Sequence, residues 1–240
     1  MVDMNGKRVV VLGGTAGIGL ATARHVADAG ADVVVASRSR ERVDAALDGL
    51  PAGAEGYAVD LSSEEAIAAL FAEVGAFDHL VYCAGEALEL FALDDTDLGQ
   101  ARRFFETRLW GALAAVKHGH SLIRPGGSIV LMSGSAGARP QATWTVAAAI
   151  CGGMEAIVRA LALELAPIRV NAVAPGVLRT DLWAAMDEAA RAGFYADVAA
   201  ALPVARVGEA GDVAESIVYL LGNGYTTGTT LAVDGGATLV

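Results

Sequence analysis

Cysteine, lysine and positive charge are all scarce in this chain. Cys83 and Cys151 are the only cysteines in 240 residues, too few for a disulfide framework and suited to a reducing cytosol. Lysine occurs only at Lys7 and Lys117, and 17 Lys and Arg stand against 28 Asp and Glu, for a net charge of −11. Nucleic-acid recognition needs a clustered basic footprint, so that class of partner is not expected. The acidic balance is read as solubilising a chain that is 54% hydrophobic. No apolar run is expected to cross a bilayer, because Asp, Arg or Gly interrupts each candidate. The opening MVDMNGKRVVVLGG lacks the charged, apolar and cleavable succession of a signal peptide, so a cytoplasmic protein without a membrane partner is expected. No metal site is expected.

What the chain does have is regular alternation. Strand-length apolar runs at 8–12, 32–36, 55–59, 79–83, 127–132, 168–173 and 229–236 are separated by helix-length amphipathic segments. Those segments cover about 17–29, 39–48, 64–74, a long region reaching 122, and 145–166. The runs are Val-rich and continuous, as expected when helices cover both faces of a sheet. Strand–helix alternation with short connections predicts an α/β fold: a doubly wound, parallel, seven-stranded Rossmann-like sheet. No linker, repeat or low-complexity tract divides it, so 1–240 reads as a single domain.

The turn LGGTAGIGLATA follows the first strand and opens the first helix. Its Gly13, Gly17 and Gly19 permit a tight turn and close approach of backbone to a pyrophosphate, whose charge suits the helix N-terminus. A dinucleotide is the expected ligand, held at Gly13, Thr15, Gly17, Ile18 and Gly19. The second strand ends in ASRSR, with Arg38 twenty-one residues beyond Gly17. An NAD site places a carboxylate near this point for the ribose hydroxyls. A guanidinium there pairs instead with a 2′-phosphate. NADP(H) is therefore the expected cofactor, with Arg38 setting the preference and Ser37 or Arg40 assisting.

Taken in order, these residues resemble the short-chain dehydrogenase/reductase family over nearly the whole chain. VDLSS matches the end of the third strand, so the resemblance puts Asp60 and Leu61 beside the adenine. YCAG stands where the family has N-N-A-G; Ala84 and Gly85 match, while Tyr82 and Cys83 do not. RVNAVAPGVLRTDL matches the segment in which Pro175-Gly176 turns beneath the nicotinamide. There the resemblance also implies that the Val177 backbone meets the carboxamide and Thr180 reaches the phosphate or the amide. Together with Cys83, Ala84 and Gly85, these positions form the expected cofactor wall.

The family's catalytic Asn, Ser, Tyr and Lys align with other residues here. TRLWGAL puts Arg108 at the Asn, MSGSAG puts Gly134 at the Ser, and GGMEAI places Ala147 on the Tyr and Cys151 on the Lys. No Tyr lies between Tyr82 and Tyr195, so no shift restores Tyr-x-x-x-Lys. The candidates to substitute are Ser133, Ser135 and Arg108, the last also readable as a surface or inter-subunit ion-pairing residue. Trp144 and Thr145 are further candidates for the pocket wall. Cys151 reads as a small core residue, and His118 and His120 as caps of helix carbonyls. The 178–208 region matches the family's substrate lid, where Leu182, Trp183, Met186, Phe194 and Tyr195 are expected to form an apolar wall for a small-molecule substrate. The helix VAAAICGGMEAIVRALALEL is apolar nearly all round, which points to a homodimer or homotetramer packed through the long helices. Three classes stay open: an oxidoreductase with a remodelled proton-donor site, an NADP(H)-binding sensor, and a non-catalytic subunit of an oligomer.

Overall fold

The computed structural model describes residues 2–86, 90–184 and 186–240. In chain order the elements are β1 (Arg8–Leu12), α1 (Gly17–Asp28), β2 (Asp32–Ser37), α2 (Arg40–Leu47), β3 (Glu55–Ala58), α3 (Glu64–Val74) and β4 (Phe77–Tyr82). They continue with α4 (Leu98–Phe105), a π-helical segment Glu106–Trp110, α5 (Gly111–Gly119), β5 (Ile123–Met132), α6 (Thr145–Glu164) and β6 (Arg169–Pro175). The chain closes with β7 (Leu178–Arg179), α7 (Glu188–Ala201), β8 (Gly208–Glu209), α8 (Ala210–Gly222) and β9 (Thr230–Val233).

Seven strands form one parallel sheet in the order β3-β2-β1-β4-β5-β6-β9. The predicted sheet is the one observed. Two-residue β7 and β8 pair separately, and neither was visible as a strand in the sequence. The unbroken Val runs have a simple cause. Along β1, Val10 and Leu12 enter the core layer under α3, α5 and α6, whereas Val9 and Val11 enter the layer under α1 and α8. β2 divides likewise, with Val34 and Ala36 on one side and Val33 and Val35 on the other. A period of two with both faces covered favours apolar residues at every position of these two strands. Each such valine contributes roughly 1.5–3 kcal/mol of burial.

Helix starts are written locally. Ser39, Ser63, Asp97 and Asp187 each accept a backbone N–H in the first turn of α2, α3, α4 and α7. At α8, Arg206 brackets the Asp212 carboxylate, which also accepts the Glu209 N–H at 2.7 Å. α1 and α6 lack such caps: at α1 the N-cap is Ala16, with no capping side chain and no acidic residue in the first turn. The opening N–H groups of α1 keep their capacity for an external acceptor.

One expectation is corrected at α6. By length and composition this 20-residue helix, with a window of mean hydropathy 1.7, is long and apolar enough to cross a bilayer. It packs on β5 and β6 instead, burying Ala147, Ile150, Met154, Val158 and Leu161. Its outer face still shows Leu163, 83% exposed. The region expected to be helical up to 122 is interrupted by the π-helical segment.

Candidate functional site

The chain leaves β3 at one edge of the sheet and returns to β4 beside β1, so the C-terminal ends of β1 and β4 diverge into a crevice. Open α/β sheets bind ligands at such a switch point. The glycine turn floors it. Gly13 has φ +81°, and a Cβ there would lie 2.6 Å from the Ala84 nitrogen, so the turn sits directly against the end of β4. A Cβ on Gly19 would stand 2.0 Å from the Gly13 carbonyl oxygen. Both contacts demand glycine, and they leave backbone facing the crevice above the uncapped start of α1.

The adenosine end follows from the second and third strands. Arg38 is exposed at the end of β2 and makes no ion pair or hydrogen bond among the described residues. Its charge helps hold the Asp60 carboxyl below its ordinary range, after the larger effect of hydrogen bonds from Ser62. Arg40 is committed elsewhere, to Asp44 one turn along α2 and to the Gly56 carbonyl. Of the two arginines, only Arg38 is free to meet a phosphate. Leu61 is buried in the core beneath this corner.

The opposite wall is built from backbone. The Cys83 N–H donates to Leu12 O at 2.7 Å, and burial pushes the Cys83 thiol up to about 12. Cys83 therefore contributes main chain rather than a reactive thiol. Gly176 packs on Asp234, where a Cβ would come within 2.9 Å of Cα. The Val177 carbonyl accepts from Gly208 N–H at 3.3 Å. Thr180 sits across from the glycine turn, its Cγ2 3.9 Å from a Cβ placed on Gly17. Gly13, Gly17, Gly19, Ala84 and Thr180 are thus brought together around one crevice.

At its inner end lies Arg108, inside the π-helical segment. Such segments are frequent at functional sites. This one is tethered by the Tyr82 hydroxyl, which donates to Thr107 O at 2.6 Å. The guanidinium lies over Gly85, whose Cβ, if present, would be 2.6 Å from Cζ. Nη2 donates to Glu86 O, while buried Nε has no hydrogen-bond partner among the described residues. Arg108 is accordingly not the surface ion-pairing residue that was one sequence reading. Burial lowers its pKa, opposed by the charge of Glu86; a guanidinium stays protonated through such a shift.

Beside it, Cys151 and Gly134 face each other, a Cβ on Gly134 falling 3.2 Å from Cys151 Sγ. Burial raises the Cys151 thiol, more than Ser133 and Arg108 lower it. The Ser133 hydroxyl lies 3.2 Å from Glu155 Oε1 and 3.3 Å from Cys151 O. It is turned onto α6. Ser135 donates its amide to Pro175 O at 3.0 Å, and its hydroxyl has no hydrogen bond among the described residues. Ala147 is buried and borders a small recess with Leu90, Phe91, Phe104, Thr143 and Val146. Thr143 holds φ +73°, a strained conformation for a β-branched residue. Trp144 caps α6 by position without a side-chain hydrogen bond, and Thr145 opens that helix.

Two expectations need correcting. His120 does meet the carbonyls of Val116 and Lys117, but His118 Nε2 instead lies 2.9 Å from Glu64 on α3. In the lid, the Trp183 and Phe194 rings meet tilted, with centroids 4.8 Å apart, and Phe194 meets Tyr195 at 5.8 Å. Of Leu182, Trp183, Met186, Phe194 and Tyr195, only Tyr195 borders the open recess beside the lid, and that recess is lined mainly by polar residues. The apolar lining lies instead on the 90–104 side, which carried no sequence motif.

The comparisons with known proteins agree with this architecture. A family described as Enoyl-(Acyl carrier protein) reductase matches residues 13–238. A short-chain dehydrogenase/reductase of Stachybotrys chlorohalonatus is 35% identical over the full length of both chains. L-xylulose reductase of Mus musculus is 34% identical, with 98% of each chain covered. A small-chain dehydrogenase solved in complex with NADPH superposes with a TM-score of 0.88 at 38% identity, covering 98% of this chain and 99% of its own. With the glycine turn at the switch point and full-length relatives on both counts, this chain belongs to the short-chain dehydrogenase/reductase family of oxidoreductases.

Proposed function

We propose that this protein is an NADP(H)-dependent oxidoreductase in which the Arg108 guanidinium, rather than a Tyr–Lys pair, meets the charge that develops on the substrate. The observation that carries this reading is the largely buried guanidinium over Gly85, with an Nε that has no hydrogen-bond partner among the described residues. Its charge is felt by the Cys151 thiol, in a chain with no Tyr-x-x-x-Lys. The cofactor suits the crevice: side chains at Gly13 and Gly19 would collide with backbone, and Arg38, an exposed cation with no ion pair among the described residues, stands where a 2′-phosphate is expected.

Bound NADPH supplies the hydride. Arg108 donates N–H groups to the oxygen that gains negative charge, as an oxyanion hole does. A guanidinium holds its proton too tightly to act as the acid, so the proton comes from water, with the Ser135 hydroxyl, which has no hydrogen bond among the described residues, a candidate to relay it. Such a site favours an acceptor that is already polarised. Leu90, Phe91, Phe104 and Val146, which border the small recess at Ala147, suit an apolar substrate. The outer face of α6, with Leu163 exposed, supports assembly into a homodimer or homotetramer.

A second reading has its own support: Ala147 carries no proton and the Ser133 hydroxyl is turned onto α6, as expected of an NADP(H)-binding sensor or a non-catalytic subunit. Fluorescence titration with NADPH, followed by its absorbance with ketones, aldehydes, quinones and activated alkenes, separates the two. Turnover lost in Arg108→Gln, with NADPH still bound, supports the oxidoreductase. Binding without any turnover across the panel supports the sensor, and absence of binding overturns the oxidoreductase and the sensor, leaving the non-catalytic subunit.

A further inference from the structure

The lid carries a second polar recess, outside the hydride-transfer site. It is open, about 250 Å³, and lined by Arg179, Thr180, Asp181, Ala184, Arg191 and Tyr195. Its inner wall is Thr180, whose Cγ2 lies 3.9 Å from where a Cβ on Gly17 would be. Thr180 is thus the residue shared between the recess and the surroundings of Gly17, which opens α1 at the glycine turn without a capping side chain.

Its two cations are held differently. The Arg179 guanidinium lies 4.6 Å from the Tyr195 ring centroid, with its Nε 3.4 Å from Glu209. Arg179 is thereby fixed and its charge offset. Arg191, in the first turns of α7, is half-buried and makes no ion pair or hydrogen bond among the described residues. In a chain of net charge −11 it has many carboxylates to choose from. Asp181 is the one carboxylate lining the recess, and no ion pair joins it to Arg191. A cation left available beside a helix N-terminus is suited to an anion that both can hold.

We infer that Arg191 is a lid-borne ligand of the cofactor diphosphate, so that cofactor binding and lid position are coupled through one guanidinium. This rests on the NADP(H) reading above and is independent of the role given to Arg108. The α1 N–H groups take the diphosphate from the sheet side, and Arg191 takes it from the lid side. The diphosphate links the two halves of the cofactor, so ordering α7 over it would also close the lid toward the nicotinamide end.

The test is calorimetric titration of the full chain with NADPH, 2′-phospho-ADP-ribose and 2′-AMP, for wild type, Arg191→Ala and Arg191→Lys. Alanine is a strong helix former, so α7 should persist in the first variant. The expected result is about tenfold weaker binding of NADPH and 2′-phospho-ADP-ribose by Arg191→Ala, unchanged 2′-AMP, and partial recovery with lysine. NADPH should also slow chymotryptic cleavage at Phe194 in wild type but not in Arg191→Ala. Equal NADPH affinity in wild type and Arg191→Ala overturns the inference, as does equal weakening of all three ligands. A wild type that fails to bind NADPH instead removes the cofactor reading, and this inference with it.

Discussion

The two ends of the crevice differ in what they are made from. The phosphate end is built from backbone and glycine: Gly13 against Ala84, Gly19 against the Gly13 carbonyl, and an uncapped helix start. The reaction end is built from side chains that depend on one another: Arg108 over Gly85, Cys151 against Gly134, and Ser133 onto Glu155. Backbone geometry tolerates almost no substitution, because a Cβ at 2.0 Å from a carbonyl oxygen has nowhere to go. A side-chain cluster can be exchanged as a set while the sheet beneath it stays put. The contrast explains how the cofactor end matches its family's pattern while the reaction end is proposed to run on different groups.

The strongest way to break the contrast is Gly19→Val. Valine would force apart the turn that holds Gly13, and NADPH binding should be lost altogether, read by fluorescence titration; retained binding would mean that the turn is not the phosphate site. Next in size is an attempt to rebuild the reaction end. Ala147→Tyr with Cys151→Lys should give no carbonyl reduction, because the new ammonium would stand beside the Arg108 guanidinium. Adding Arg108→Asn removes that like-charge contact, and a gain on the order of 10²-fold is expected, measured by NADPH oxidation with simple ketones. Equal activity in the double and triple variants would show that Arg108 does not occupy that space.

Smaller effects separate the two serines. Ser135→Ala should lower turnover about threefold to tenfold through loss of a hydroxyl donor, while Ser133→Ala should leave turnover nearly unchanged and lower the melting temperature by a few degrees. The reverse order would exchange their roles. Smallest of all is thiol chemistry at pH 8. With its pKa pushed up to about 12, Cys83 should be alkylated at less than about 10⁻³ of a free thiol's rate in the folded protein. Cys151, also raised by burial, should be slow too, and rapid labelling of either would contradict the burial described here.

Much of the fold was legible because each signal was local. The Val runs of β1 and β2 need no knowledge of distant residues, since continuous apolarity follows from covering both faces of the sheet. The glycine turn was legible for the same reason, and so was Arg38 at the end of β2. Arg108 was visible as a position but not as an environment. Its burial depends on Gly85, just beyond β4, and on the Tyr82 hydroxyl that holds Thr107. Tyr82 had registered only as a departure from a motif, although a tyrosine ending a buried strand must place its hydroxyl on an acceptor. Arg40 was expected to assist Arg38, but Asp44, one turn along, holds it. The charged lid recess was hidden because Arg179 and Arg191 meet only when β7 and α7 are folded together.

The central claim is that cofactor capture and charge stabilisation are assigned to separate arginines at the two ends of one crevice. It is tested most directly by measuring NADPH affinity and turnover side by side for Arg38→Asp and Arg108→Gln. The account predicts a crossed result. Arg38→Asp should weaken NADPH by roughly 10²-fold relative to NADH while preserving saturated turnover, and Arg108→Gln should lower turnover roughly 10²-fold while changing NADPH affinity little. Parallel losses in both variants, or turnover unchanged by Arg108→Gln, would contradict it.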